Sequence, residues 1–200
     1  MPGPIEFYFD FSSPYGYIGS EKIDALAAKH SREVTWRPIM LGVVFKTTGG
    51  APLPSIPLKW PYSVRDIART AKFHGVEYRP PPVFPIPTVS PCRAFYWMDA
   101  RDSKRAKQLA RALYRAYFVE GVDISRVDDT VAVCEKFGLM AEEVRAALAD
   151  QTVKDRLRSE IDRAIALGVF GSPYIIIDGE PFWGSDRLDQ IDRWLQTGGW

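Results

Sequence analysis

FYFDFSSPYGY, residues 7–17, carries the chain from an apolar strand through a turn into a helix. The residues up to Phe9 are aromatic and apolar, which is typical of a β-strand. Ser13 comes directly before Pro14, and proline favours the first position of a helix, so Ser13 is placed to cap that helix. The apolar residues that continue the helix recur on one face: Ile18, Ile23, Leu26 and Ala27.

The chain after this helix forms one more strand and then changes character. Residues 34–39 are rich in β-branched and aromatic side chains, which predicts a second strand and completes a βαβ unit. Residues 42–59 are rich in Gly, Pro, Thr and Lys, which predicts an irregular loop. The middle of the chain is predicted to be helical, because apolar residues recur there at every fourth position: Leu109, Leu113 and Tyr117, and then Val153, Leu157, Ile161 and Ile165.

Residues 168–195 return to strand-forming sequence, GVFGSPYIIIDGEPFWGSDRLDQIDRWL. An apolar run, an Asp-Gly turn and a short aromatic segment predict a β-hairpin, and a final helix follows. The order βαβ, helical block, ββα predicts an α/β fold in which a thioredoxin-like domain is interrupted by a helical insertion domain. We divide the chain into residues 1–61 and 168–200, the two parts of the thioredoxin-like domain, and residues 62–167, the helical insertion domain.

Composition and charge argue against several classes of partner. The 26 basic and 25 acidic residues are dispersed, so the chain lacks the basic stripe that would bind nucleic acid or an anionic membrane. It shows no signal-peptide pattern and no run of about 18 apolar residues, so we expect a cytoplasmic protein. Cys92 and Cys134 are too far apart for a CxxC unit, which argues against metal or dithiol chemistry.

Ser13 is the candidate functional residue of the first turn. A helix N-terminus offers free amide donors and a partial positive charge, which favour an anion such as a thiolate. Two other interpretations remain open at this point. Ser13 could simply cap its helix, or it could be the nucleophile of a hydrolase with His30 or His74 as base, although the GxSxG elbow is missing and each histidine suits a helix end.

Five stretches carry a family resemblance: residues 7–17, PLKWPY at 57–62, FP at 84–85, EGVDIS at 120–125 and GVFGSPYIIIDGEPFWGSDRL at 168–188. Together they make nearly the whole chain resemble the 2-hydroxychromene-2-carboxylate isomerases and, more distantly, the kappa-class glutathione transferases. The fold of that family resembles the bacterial disulfide oxidoreductase DsbA, in which a CxxC motif starts the first helix. This chain has SPYG at that place, so it supplies no thiol for disulfide exchange.

The resemblance implies that glutathione supplies the missing sulfur. Ser13 would then donate a hydrogen bond that stabilises the glutathione thiolate, and it would be an activator rather than a nucleophile. Pro173 matches the family's cis-proline, and the backbone of Ser172 would pair with the cysteinyl residue of glutathione in the manner of a strand.

Further binding residues are implied by the same resemblance. Ser185 and Asp186 match positions that hold the γ-glutamyl end of glutathione, and Lys59 matches a lysine near its glycyl carboxylate. The apolar wall for an aromatic substrate would be formed by Phe45, Trp60 and Phe84, and the alternative is that these side chains are buried in the core. Where many relatives carry Asn, this chain has Gly50 and Pro87, so two side-chain amides are missing.

The reaction implied by the resemblance converts a small aromatic carboxylate, 2-hydroxychromene-2-carboxylate, into trans-o-hydroxybenzylidenepyruvate with glutathione as a recycled cofactor. A kappa-type glutathione transferase, which consumes glutathione, is the second hypothesis. A non-catalytic thioredoxin-like module that holds thiol or peptide ligands is the third. Relatives also suggest a homodimer by analogy.

Overall fold

The computed structural model describes residues 3–200 and contains one mixed four-stranded sheet in the order β2-β1-β3-β4. Its strands are β1 (Ile5–Phe9), β2 (Val34–Pro38), β3 (Tyr174–Ile177) and β4 (Glu180–Trp183). β1 runs parallel to β2 and antiparallel to β3, and β4 runs antiparallel to β3. The predicted α/β class and the order of elements are confirmed.

Ten α-helices lie within residues 3–200, and seven of them lie between β2 and β3. They are α1 (Pro14–Ser20), α2 (Ile23–Lys29), α3 (Leu41–Thr48), α4 (Lys59–Phe73), α5 (Val89–Asp99), α6 (Ser103–Phe118), α7 (Val127–Lys136), α8 (Ala141–Ala149), α9 (Gln151–Ala166) and α10 (Leu188–Thr197). Short 3₁₀ turns occupy Leu53–Ser55 and Ser185–Arg187. None of the helices in this part of the chain combines the length and apolarity needed to cross a membrane.

Two local predictions are corrected by the structure. The first helix is split, since α1 ends at Ser20, whose hydroxyl bonds the Tyr17 carbonyl, and the Lys22 amide bonds only three residues back. The segment predicted as an irregular loop contains helix α3. That helix begins where the Leu41 amide donates to the Asp10 carboxylate at 2.6 Å, a cap supplied from a distant part of the chain.

The sheet and the intervening helices share one hydrophobic core. The ring of Phe9 on β1 lies 5.2 to 6.1 Å, between centroids, from four aromatic rings outside β1. These rings belong to the turn after β1, to β2, to α5 and to α6: Phe11, Trp36, Phe95 and Tyr114. Burial of these large side chains therefore fixes the end of β1, where the first turn begins, against the helical block.

Candidate functional site

Ser13 caps α1 through both its backbone and its side chain. Its carbonyl accepts from the Tyr17 amide at 2.9 Å, and its hydroxyl oxygen accepts from the Gly16 amide at 3.0 Å. The hydroxyl also donates to the Ser172 carbonyl at 2.9 Å. Ser13 is 7% exposed, so its hydroxyl is largely enclosed between this turn and Ser172.

The loop before β3 is attached directly to this turn. The Ser172–Pro173 peptide bond is cis, as predicted. The Ser172 hydroxyl accepts from the Asp10 amide at 3.0 Å, so Ser172 bonds the turn with both its side chain and its carbonyl. The structure therefore brings Ser13, Ser172 and Pro173 together at the ends of β1 and β3.

Gly16 allows the close approach of these elements. A Cβ atom built on Gly16 would lie 2.6 Å from the Ser172 Oγ and 2.8 Å from the Tyr114 Oη. Both oxygens are fixed by Asp10. The Ser172 Oγ accepts from its amide, and the fully buried Tyr114 donates to its carbonyl at 2.9 Å. The position accepts no side chain without displacing the groups around Ser13.

No histidine forms a dyad with Ser13. Both hydrogen bonds of its hydroxyl go to backbone groups. His30 lies at the end of α2, where its Nε2 is 2.6 Å from Oδ1 of Asp192 on α10. His74 caps the end of α4 with its ring against Phe73. The hydrolase interpretation therefore has no general base in place.

The two cysteine thiols are also unsuited to chemistry. Cys92 and Cys134 are both buried, and burial raises the pKa of Cys92 well above its ordinary value and that of Cys134 to about 12. Neither thiol is ionised at neutral pH, so neither is a nucleophile there. Within residues 3–200 no cluster of His, Cys, Asp and Glu could hold a metal ion.

Asp10 is a buried carboxylate at this site that the sequence interpretation missed. It is 5% exposed, and it accepts hydrogen bonds from the Ser12 amide, the Leu41 amide and the Thr88 hydroxyl at 2.8, 2.6 and 3.0 Å. Burial raises its pKa from 3.8 to about 6, although these three donors lower it. The available signal was an acidic residue directly after an apolar strand, which is rarely left without partners.

The raised pKa of Asp10 predicts a pH-dependent stability. The folded state holds this proton more tightly than the unfolded chain, so its contribution is full below pH 3.8 and is lost as pH rises through about 6. The unfolding free energy of the wild type should therefore fall by about 2 kcal/mol relative to Asp10→Asn between pH 4 and 7. Chemical denaturation across that range measures the difference.

A second variant checks the cause of that pH dependence. Thr88→Val removes one donor to the Asp10 carboxylate, so the pKa of Asp10 in the folded state should rise further. The fall in the unfolding free energy should then extend to higher pH. Parallel stability curves for the wild type and Asp10→Asn would contradict the assignment.

Ser185 and Asp186 begin the 3₁₀ turn after β4. The amide of Gly184, just before them, donates to the Pro173 carbonyl at 3.0 Å, so this turn is fixed to the Ser172–Pro173 loop. Ser185 is buried, whereas the Asp186 side chain is 70% exposed. Both line an open cavity of about 440 Å³ between α4 and α10, which we call the α4–α10 groove.

Two of the three aromatic residues predicted to form a substrate wall stack on each other. Trp60 on α4 and Phe84 stack with centroids 5.4 Å apart and planes 10° from parallel. Two residues after Phe84, the Ile86 amide donates to the Ser12 hydroxyl at 3.0 Å, so this pair lies beside the first turn. Phe45 stands apart on α3 with its ring against Gly50.

Lys59 begins α4 and is exposed to solvent. It forms no ion pair with any residue that the structure describes. Its amino group is therefore available for a carboxylate at this end of α4.

A polar cluster around Asp66 on α4 was also not predicted from the sequence. The Tyr15 hydroxyl donates to Oδ2 of Asp66, while Arg69 and Tyr62 both donate to its Oδ1. Burial raises the pKa of Asp66, but the bonds from Tyr15 and Arg69 outweigh it and the pKa is lowered. The cluster links the first turn of α1 to the α4–α10 groove, which Arg69 lines. The residue spacing on α4 favours Asp66–Arg69 contact, but the contact with Tyr15 depends on packing.

Residues 4–196 match the family model of the DsbA-like thioredoxin domain. The chain belongs to the DsbA-like thioredoxin family. It is 29% identical to a 2-hydroxychromene-2-carboxylate isomerase of Sphingobium xenophagum over 201 residues, which cover 98% of this chain and 99% of the relative. It is 28% identical to glutathione S-transferase kappa 2 of Caenorhabditis elegans, over 96% of this chain and 91% of the relative.

The solved structures agree on the fold of this DsbA-like chain. A 2-hydroxychromene-2-carboxylate isomerase structure superposes with a TM-score of 0.86 at 24% identity, covering 96% of this chain and 94% of that one. The thioredoxin-like architecture is thereby confirmed. Within the family, the chain is similar to both isomerases and glutathione transferases over nearly its whole length.

Proposed function

We propose that this DsbA-like protein is a glutathione-dependent isomerase of the 2-hydroxychromene-2-carboxylate type. The observation that carries the proposal is the Ser13 hydroxyl, held at the N-terminus of α1 between the Gly16 amide and the Ser172 carbonyl. A serine at this place can orient and stabilise the thiolate of a bound ligand.

Glutathione would bind as an added strand along the loop before β3. The backbone of Ser172 pairs with its cysteinyl residue, which directs the sulfur towards Ser13. The Ser13 hydrogen then turns from the Ser172 carbonyl to the thiolate, because a bond to an anion is the stronger one. The Gly16 amide keeps the serine oxygen in place during this change.

The two ends of glutathione meet different parts of the site. Ser185 and Asp186 in the α4–α10 groove bind the γ-glutamyl end, and the exposed Lys59 binds the glycyl carboxylate. The Trp60–Phe84 stack offers an apolar face to an aromatic carboxylate substrate.

The reaction needs only addition and elimination of the thiolate. The thiolate adds to the conjugated carbon of the ring-opened substrate, a C–S bond forms, and the π electrons move to the carbonyl oxygen as an enolate. The former double bond is now single and can rotate. Collapse of the enolate re-forms the double bond in the trans geometry and expels the thiolate, so glutathione is recovered unchanged.

A kappa-type glutathione transferase is the second candidate. It is favoured by the 28% identity to the nematode kappa enzyme, which is nearly the same as that to the isomerase. The same activated thiolate would attack an electrophile and leave with it as a conjugate. The homodimer and the cytoplasmic location stay predictions, as does the third hypothesis of a non-catalytic binding module.

Turnover with glutathione separates these functions. The purified protein should bind glutathione in a calorimetric titration and should isomerise 2-hydroxychromene-2-carboxylate while free thiol stays constant over many turnovers. With chlorodinitrobenzene we expect little conjugation beyond the uncatalysed rate. Thiol loss in proportion to product would establish the transferase instead, and binding without turnover of either substrate would support the binding module.

A further inference from the structure

The α4–α10 groove carries charges of both signs on its two walls. Arg69 lies on the α4 wall, whereas Asp186 and Asp189 lie on the other. His74 also lines the groove, but burial and then the charge of Lys22 lower the pKa of its ring, so it adds no positive charge at neutral pH. The groove therefore suits a ligand end that bears one ammonium and one carboxylate group.

Arg69 is held along one edge of its guanidinium group. Nε and Nη2 donate to Oδ1 of Asp66 at 2.9 and 2.6 Å, and Nη2 also donates to the Tyr62 hydroxyl at 2.6 Å. Nη1 donates to no residue within 3–200. The fixed guanidinium therefore keeps the two Nη1 hydrogens as donors for a ligand carboxylate.

Both walls of the groove are attached to the elements that hold Ser13. On the α4 side, Asp66 accepts from Tyr15, which follows Ser13 by two residues. On the α10 side, the Gly184 amide is bonded to the Pro173 carbonyl. A ligand end seated in the groove is therefore fixed relative to the Ser13 hydroxyl.

We propose that Arg69 binds the α-carboxylate of the γ-glutamyl residue of glutathione, opposite Asp186 and Asp189, which bind its ammonium group. The inference rests on the proposed use of glutathione. The γ-glutamyl end is the one part of glutathione that carries both charges, whereas the glycyl end carries a carboxylate alone. Arg69 is thereby a binding residue that fixes which end of the peptide enters the groove.

A cycle of two ligands and two proteins tests this assignment. The ligands are glutathione and 4-aminobutyryl-cysteinylglycine, which lacks only the α-carboxylate. At low ionic strength, the wild type should bind the second peptide roughly two- to fivefold more weakly, because one exposed charge pair is lost. Arg69→Met should weaken glutathione binding by the same factor and should bind the two peptides equally.

Matched variants keep the result specific. Arg65→Met removes the same charge one turn earlier on α4, from an exposed position, and should leave the preference for glutathione intact. Arg69→Gln should reproduce the cycle of Arg69→Met, so the outcome does not depend on the folding of one variant. If the losses of affinity from Arg69→Met and from removal of the α-carboxylate add up, the role assigned to Arg69 is wrong. Equal binding of both peptides by the wild type would contradict it as well. Both outcomes leave the proposed function of the protein standing. Failure of the wild type to bind glutathione would overturn the proposed function and this inference with it.

Discussion

Replacing Ser13 with alanine should raise the thiol pKa of bound glutathione by about 1–2 units and lower turnover roughly 10- to 100-fold. The reason is that the variant loses the only side-chain donor at the N-terminus of α1 that is proposed to face the sulfur. The helix amides remain, so binding of glutathione should be retained. Ultraviolet absorbance of the thiolate, followed over a pH titration of the complex, measures the shift.

The loss of the helix cap must be separated from the loss of the thiolate donor. Ser13→Ala should also cost about 1 kcal/mol of stability, because the Gly16 amide loses its acceptor. Ser20→Ala is the matched control, since it removes a buried hydroxyl that donates to the Tyr17 carbonyl at 2.7 Å at the other end of α1. It should lower stability and leave the thiol pKa unchanged. An unchanged thiol pKa in Ser13→Ala would reject Ser13 as the activator.

Gly16→Ala should disrupt both folding and ligand binding. The new methyl group would meet the Ser172 Oγ at 2.6 Å and the Tyr114 Oη at 2.8 Å, inside a buried hydrogen-bonded turn. Such overpacking costs about 1–3 kcal/mol and outweighs the gain in helix propensity, so the melting temperature should fall by several degrees. Because Ser172 must move, glutathione affinity should fall about tenfold or more.

Gly42→Ala is the matched control for this substitution. Gly42 is also helical, but it is exposed on α3 and a Cβ there meets nothing within 4 Å. Alanine should therefore raise the unfolding free energy by roughly 0.4–1 kcal/mol and leave glutathione binding unchanged. Thermal melts and calorimetric titrations of the two variants side by side give the comparison. Equal melting temperatures for both would refute the close-packing argument.

The sequence predicted those features that depend on neighbouring residues. The cap at Ser13 follows from Ser-Pro after an apolar strand, and the hairpin of β3 and β4 follows from the Asp-Gly turn between apolar segments. The family resemblance added the cis-proline and directed attention to the residues of the α4–α10 groove.

The features that were missed depend on contacts between distant residues. Helix α3 begins where Leu41 bonds Asp10, 31 positions earlier, and the same carboxylate accepts from Thr88, 78 positions later. No local pattern reports such partners. Tyr15 likewise meets Asp66 only because α1 packs beside α4. Trp60 and Phe84 stack on each other, whereas the Phe45 ring lies beside Gly50, so their joint role as a substrate wall stays a prediction.

The hydrogen bond between Ser13 and Ser172 joins residues 159 positions apart, and this separation along the chain has a consequence for protein synthesis. The amino-terminal half of the site leaves the ribosome long before its other half exists. Until the residues of β3 emerge, one edge of β1 has no partner and remains open to other chains. The site is therefore completed late in synthesis. A nascent chain that stops before Ser172 lacks half of the site and lacks the strands β3 and β4 of the sheet.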